Sequence, residues 1–458
     1  MPPITATLCD YVDKLRADDL PREVTGRACD LIIDLIGSIV RAGHEADSTR
    51  SVLAMLTRLG LDAPGTSRVF GLARGYGPAT AALLNGVLGH SLDFDDTHAD
   101  SSLHPSAPVV PAALAAAEMT GASGEALLTA IIAGYEVCCR LGNALDPTAH
   151  YARGFHPTAT AGTFGAAAAA GKLLGLNATG LASAFGVAAS QAAGSLQFLV
   201  NGAWNKRYQV GASAMNGLIA ATLASEGFVG AAEAIEGKHG FLKGYTDGAR
   251  PDRAIADLGT VYETMKIGMK PYPACRYTHA AVDGLLALRR DLRLVSSDIR
   301  RVTIGLHQNG IVLTGTPIED KRRPKSVVEG QFSMPFAAAV AIETGGFGWD
   351  DYALLGAPAI EAIAARVDVR RDERLEGLRH PFGAHLSVET AKGTIDRHIA
   401  DPSGEPETFP DRRRIEEKFL TLTRPVLKNS AAALFANLAE IGSIADVRSL
   451  GRDQDPLI

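Results

Sequence analysis

From Leu173 to Asn205 the chain carries no charged side chain. Few features restrict a fold more, because so long an uncharged segment must either cross a membrane or lie against other protein. The polar residues within it decide between the two. Asn177, Thr179, Ser183, Ser190, Gln191, Ser195 and Gln197 interrupt the apolar positions, and lipid would leave them poorly solvated. The segment is therefore read as small-residue helix buried inside a water-soluble protein. Alanine and glycine are abundant elsewhere too, and small side chains let helix axes approach closely. Aromatic residues make up only 6% of the chain, so close-packed helices are favoured over a sheet sandwich.

The length of 458 residues accommodates two or three domains at roughly 150 residues each. The net charge is -6 and no basic tract appears, so nucleic acid is not expected as a partner. Cys9, Cys29, Cys138, Cys139 and Cys275 are scattered and odd in number, which suits a reducing, cytoplasmic setting. The N-terminus lacks the basic-then-apolar layout of a signal peptide. No membrane partner is expected.

Up to about residue 260 the chain reads as almost entirely helical. Val24, Ala28, Leu31, Ile32, Leu35, Ile36 and Ile39 recur at helical spacing after Pro21, and Gly43 is the expected stop. Further helices are expected over 51–59, 78–88, 112–119, 124–144, 158–174, 178–193, 212–225 and 231–236. Pro105, Pro108 and Pro111 read as a stiff entry to the 112–119 helix, and 145–157 as a loop. The character then changes. IRRVTIGL at 299–306 alternates as a strand should, 367–371 and 385–389 look like strands, and Gly393-Thr394 reads as a hairpin turn before 395–399. Helices at 278–290 and 331–342 lie among these strands, and two more, over 412–420 and 430–439, close the chain. The fold class is thus mainly α: a large all-helical domain, 1–266 with 403–458, plus a smaller α+β lid domain, 267–402.

Between two alanine-rich runs lies GHSLDFDDTHADSSLHPS, residues 89–106. It gathers Asp93, Asp95, Asp96 and Asp100 with His90, His98, His104 and Thr97. As a calcium loop it lacks the central glycine and closing glutamate. As a zinc site its His98 and His104 are wrongly spaced. No metal is assigned. An acid–base site needs cations to hold an anionic substrate, and the sequence supplies Lys206, Arg207, Lys270 and Arg276 in weakly charged or Pro/Gly-containing surroundings. His104 and His156 titrate in the right range to move protons.

Four blocks in order, HSLDFDDTHADSSLHPS, GFHPTAT at 154–160, WNKR at 204–207 and KPYPACRYTHAAVDG at 270–284, resemble the MmgE/PrpD family. That family includes 2-methylcitrate dehydratase, cis-aconitate decarboxylase and iminodisuccinate epimerase. The resemblance implies a homodimer with a cofactor-free site at the domain interface, acting on small anionic di- or tricarboxylates. Carried over by position, Asp93, His104, Tyr151, His156 and Lys270 would be catalytic, and Thr97, Lys206, Arg207 and Arg276 would bind substrate. There are departures. Gln209 stands where members often carry histidine, Cys275 and Phe336 stand where decarboxylases carry histidine and tyrosine, and one extra residue separates Thr97 from His104. These count against cis-aconitate decarboxylation.

The expected function is a dehydratase-type lyase that abstracts a proton α to a carboxylate. Epimerisation of an iminodisuccinate-like dicarboxylate, or binding without turnover, are the alternatives. Plainer roles attach to the remaining residues. Asp95 and Asp96 read equally well as helix caps, His90 as a structural histidine, His98 as a solvated loop residue, Cys275 as a small buried residue, and Tyr135 and Trp204 as core.

Overall fold

The computed structural model describes residues 3–376 and 381–450; the end of the expected 403–458 segment lies partly outside them. The described chain forms two compact units. The first comprises residues 1–91, 95–269 and 411–458, and the second 92–94 with 270–410.

The first unit is helical. Its longest helix, α1 (Arg22–Glu45), buries the periodic stripe from Val24 to Ile39. It runs past Gly43 to Glu45, correcting the expected stop, because Arg41 and Glu45 pair across one turn at 2.8 Å. The Arg412–Leu427 helix lies against it with Phe419 over Gly37, where a Cβ would sit 3.2 Å from the ring.

Four helices then surround an alanine core. They are α2 (Pro78–Gly89), α3 (Ser106–Thr120), α5 (Pro157–Leu173) and α7 (Asn205–Ser225), with α4 (Gly124–Leu145) and α6 (Ala178–Gln191) packed outside. Ala82, Ala112, Ala116, Ala166, Ala170 and Ala214 are fully buried there. The missing side chains are what allow the approach. A Cβ at Gly86 would lie 2.7 Å from the Gly211 Cα, and one at Gly165 would lie 2.7 Å from the Gly134 carbonyl oxygen.

Several expected boundaries move. The helix predicted to begin at Ala112 begins at Ser106. Pro108 falls in its first turn, where no N–H bond is lost, and Pro111 is carried inside it. The expected loop over 145–157 contains a short helix, Pro147–Ala152, started by the Asp146 carboxylate accepting from the Ala149 N–H at 3.3 Å. Residues 231–236 form turns rather than a helix. The uncharged segment is only partly buried: α6 ends at Gln191, and Leu199 and Val200 beyond it are 40% and 76% exposed. No helix among the described residues is long and apolar enough to cross a membrane.

Two short strands, β1 (Thr97–His98) and β2 (Ile267–Gly268), pair antiparallel within the first unit, Thr97 opposite Gly268. The second unit holds a four-stranded mixed sheet. Strands β3 (Ile299–Leu306), β4 (Val367–Arg371), β5 (Ala384–Thr390) and β6 (Gly393–Ile399) lie in the order β4–β3–β5–β6. The β3–β4 pair is parallel and the others antiparallel. Ala384, Leu386 and Val388 alternate inward along β5. The hairpin turn falls at Ala391-Lys392, and Gly393 pairs with Thr390 as the first residue of β6, not as part of the turn. Helices α8 (His279–Leu292) and α9 (Met334–Thr344) are the two longest described in this unit.

Candidate active site

Three of the core helices present their N-termini, and one its C-terminus, with a histidine or lysine at each end. His90 caps the end of α2. His104 lies two residues before α3, His156 is the N-cap of α5, and Lys206 is in the first turn of α7. The rings meet: the His90 centroid is 4.9 Å from that of His104 and 6.0 Å from that of His156. Lys206 is close enough to disfavour positive charge on His156. Helix N-termini carry partial positive charge, so this cluster favours an anion.

A folded-back loop places His104. His98 and Leu103 exchange backbone hydrogen bonds at 2.8 and 3.3 Å, and Ser102 takes a left-handed φ of 51° between them. His104 Nδ1 then reaches the Asp96 carbonyl oxygen at 2.6 Å, and its backbone N–H donates to Thr158 Oγ1 at 3.1 Å. A carbonyl oxygen only accepts, so Nδ1 carries the proton and the neutral ring has its lone pair on Nε2.

His98 is fully buried rather than solvated, correcting the expectation. Its Nδ1 faces Ser101 Oγ at 2.7 Å and its Nε2 faces Glu263 Oε2 at 2.9 Å. Burial alone would raise the Glu263 carboxyl. The hydrogen bond and charge of His98, joined by Lys266, outweigh it and bring the pKa down to about 2. This contact ties the 98–103 loop to the chain just ahead of β2.

Asp96 accepts from the Ser106 N–H at 3.2 Å and from its hydroxyl, so it starts α3 as a helix cap does. Burial, reinforced by Asp95, raises its carboxyl well above the usual range. Tyr135 completes this contact through the Ser106 hydroxyl and is core, as read from the sequence. Asp95 is bonded to His90 Nδ1 at 2.6 Å instead of capping a helix. His90, expected as scaffold, thus stands beside both other imidazoles. The sequence signal for it was only its position at the end of α2.

His156 is buried, and burial first, then His90, Lys206, His104 and His150, push its pKa well below the usual histidine range. Its Nδ1 faces the side-chain nitrogen of Gln209 at 2.8 Å. His150 bridges Thr160 and the Tyr245 carbonyl, and burial lowers it to about 4. Thr97 keeps a buried hydroxyl with no hydrogen-bond partner among the described residues. Tyr151 is 38% exposed and donates to the Ser102 carbonyl at 3.2 Å. Arg207 is buried with Nη1 on Ser48 Oγ at 3.0 Å. Trp204, expected in the core, is 41% exposed; as the residue before α7 it stands outside the stripe that α7 buries.

In the second unit Lys270 is 1% exposed and donates to the Asp93 carbonyl at 3.0 Å and carboxylate at 3.1 Å. Asp93 adopts a left-handed φ of 52°, which turns both oxygens to the ammonium. Gln331 holds the preceding Leu92 carbonyl at 2.8 Å. Arg276 is engaged by Glu405 at 2.7 Å, the Ser403 carbonyl at 3.0 Å and His279 Nδ1 at 2.8 Å. Cys275 is a small buried residue, as read from the sequence.

The donor atoms of His90, Asp95 and His104 lie within 4.8 Å of one another. Two imidazoles and a carboxylate suit a transition metal. The same side chains make the Asp95–His90 and Asp96–His104 hydrogen bonds.

Residues 6–254 match the MmgE/PrpD N-terminal domain and residues 272–441 the MmgE/PrpD C-terminal domain. The chain belongs to the MmgE/PrpD family. Family members are enzymes. A cis-aconitate decarboxylase-like protein of Aspergillus oryzae is 29% identical over 98% of this chain and 96% of its own length. A cis-aconitate decarboxylase of Aspergillus terreus is 29% identical over 93% of this chain and 90% of its own. The human cis-aconitate decarboxylase is 31% identical over 59% of this chain and 56% of its own. In this MmgE/PrpD chain His104, Tyr151 and His156 lie in the first unit, and Asp93 and Lys270 in the second.

Proposed function

We propose that the chain is a cofactor-independent lyase that transfers protons at a carbon next to a carboxylate of a small di- or tricarboxylate. The observation that carries the reading is the His90–His104–His156 cluster with Lys206 beside it. His104, with Nδ1 committed to the Asp96 carbonyl, has an Nε2 lone pair to take the proton. Lys206 and the surrounding helix N-termini suit the carboxylates and the charge that develops. Thr97 offers substrate a hydroxyl that has no hydrogen-bond partner among the described residues. Lys270, a buried cation, is proposed as catalytic together with Asp93, and Tyr151 as a proton donor at the loop. Arg207 and Arg276, engaged by Ser48 and Glu405, serve better as anchors than as direct ligands.

Dehydration is the preferred outcome, with a β-hydroxyl leaving after proton abstraction. Decarboxylation is the second reading, favoured by the names of the relatives. The test is proton-exchange NMR in deuterated water over a panel of hydroxy, unsaturated and imino polycarboxylates, with product identification. Exchange with water loss supports dehydration, and carbon dioxide release supports the second reading. No exchange and no turnover across the panel refutes both.

A homodimer is part of the proposal. The exposed apolar side chains of Leu199, Val200, Trp204 and Tyr208, close to Lys206 in the sequence, support it. The five cysteines are free and buried, which supports a reducing, cytoplasmic setting.

A further inference from the structure

The contact that decides how His156 can act is made by Gln209. The Gln209 side-chain oxygen lies 3.1 Å from the Ser195 backbone nitrogen. A backbone N–H can only donate, so this end of the amide is the carbonyl and the other end is the NH2. That NH2 lies 2.8 Å from His156 Nδ1. It has no accepting capacity, so Nδ1 must present its lone pair.

We infer that Gln209 is a positioning residue that fixes His156 as the Nε2–H tautomer, so that His156 acts in proton transfer as a hydrogen-bond donor and not as the base. The donor role rests on the function proposed above. The tautomer does not.

Packing supports the assignment. The His156 backbone N–H donates to the Gly194 carbonyl at 3.0 Å, so the Gly194-Ser195 segment grips both partners. A Cβ at Gly194 would lie 2.7 Å from the Ala159 Cβ and 3.5 Å from both Gln209 Cδ and His156 Cβ. A glycine is what lets the segment close on the pair. Protonating Nδ1 would set two donors against each other at the Gln209 contact. The groups facing the ring oppose a positive charge as well: His90, Lys206, His104 and His150. His104 is held the opposite way, with Nδ1–H on a carbonyl. Two neighbouring imidazoles therefore carry complementary tautomers, one able to accept a proton and one able to donate, a division of labour that environment alone can impose.

The test is long-range proton–nitrogen NMR on the full-length protein with isotope-labelled histidine. The His156 signals are assigned by their loss in His156→Gln. Wild type is expected to show neutral His156 protonated at Nε2 and unchanged between about pH 6 and about pH 8. Gln209→Glu supplies an acceptor, so Nδ1 should become protonated and an ionisation should enter that range. The same variant should lower kcat by about tenfold or more while leaving KM within about threefold. A wild-type ring protonated at Nδ1, or an imidazolium near neutral pH, overturns the inference. So does a folded Gln209→Glu with an unchanged His156 spectrum. If Gln209→Glu does not fold, the wild-type spectrum decides alone. If the tautomer is as expected but wild type exchanges no polycarboxylate, the donor role falls with the proposed function and the tautomer assignment stands.

Discussion

His104 donates from Nδ1 to the backbone carbonyl oxygen of Asp96 at 2.6 Å, across a loop that returns on itself between His98 and Leu103. The contact does two things. It sets the ring's orientation, and it leaves Nε2 as the basic atom. His104→Asn should therefore lower solvent-deuterium exchange into a substrate polycarboxylate by about a hundred- to ten-thousandfold. Thermal stability should change little, since the ring is part-exposed at 15%. Full exchange in His104→Asn would remove this residue from the proton-transfer role.

Lys270 and Asp93 form a buried ion pair in the second unit, at 3.1 Å. Removing one partner leaves the other charge buried. Lys270→Met should cost about 3–5 kcal/mol in unfolding free energy, by denaturant titration. The double variant Lys270→Met with Asp93→Asn should recover a large part of that loss, because no unpaired charge remains. Both should lose exchange activity if Lys270 is catalytic. A Lys270→Met protein that keeps full exchange would rule out that role.

Glu263 links the site loop to stability through His98. Its pKa is depressed from 4.5 to about 2. A depressed carboxyl stabilises the fold above its unfolded pKa, and that contribution is lost as pH falls through the folded value. The shift corresponds to about 3 kcal/mol, and the group is well buried. Glu263→Gln should therefore be less stable than wild type at pH 7, with the gap closing between about pH 4.5 and about pH 2. Denaturant midpoints across that window measure it. A gap that stays constant down to low pH would show that His98 does not depress this carboxyl.

Much of the fold could be read from periodicity. The α1 stripe and the alternation of β3 are local patterns, and both appear where the residues predict them. The misses have physical causes. Pro108 and Pro111 look like helix breakers, yet Pro108 falls in the first turn, which tolerates it, and Pro111 is carried inside the helix. Gly393 looks like a turn residue, but the strand pairing claims it. The site was legible as far as residue types went: Asp, His and Lys in blocks. The roles of His90, His98 and Gln209 were not. Each depends on a partner brought by folding, namely Asp95, Glu263 and Ser195. His98 and Glu263 are 165 residues apart, beyond any spacing rule.

Glycine at Gly165 should be indispensable to the helical core. Its Cβ would lie 2.7 Å from both Cys138 Cβ and the Gly134 carbonyl, and 3.0 Å from Val109. Neither Cys138 Cβ nor the Gly134 carbonyl can yield without separating α4 from α5. Gly165→Ala should therefore lose about 1–3 kcal/mol despite alanine's higher helix propensity. The exposed helix residue Gly244 has nothing within 4 Å of a Cβ, so Gly244→Ala should be neutral or slightly stabilising. Paired thermal melts of the two variants check the contrast, and equal effects would show that close helix approach does not hold this core.

The surface beside Lys206 carries the last prediction. Val200 is 76% exposed and Trp204 41%, an unusual cost for large apolar side chains on a monomer. The homodimer proposed above would cover both. Light scattering should give the mass of two chains for wild type. Val200→Asp combined with Trp204→Asp should shift it towards one chain, because two buried carboxylates per copy would face each other or apolar surface. The substitutions lie outside the alanine core, so helical content by circular dichroism should be kept. A wild-type protein that runs as a single chain at micromolar concentration would end the dimer proposal.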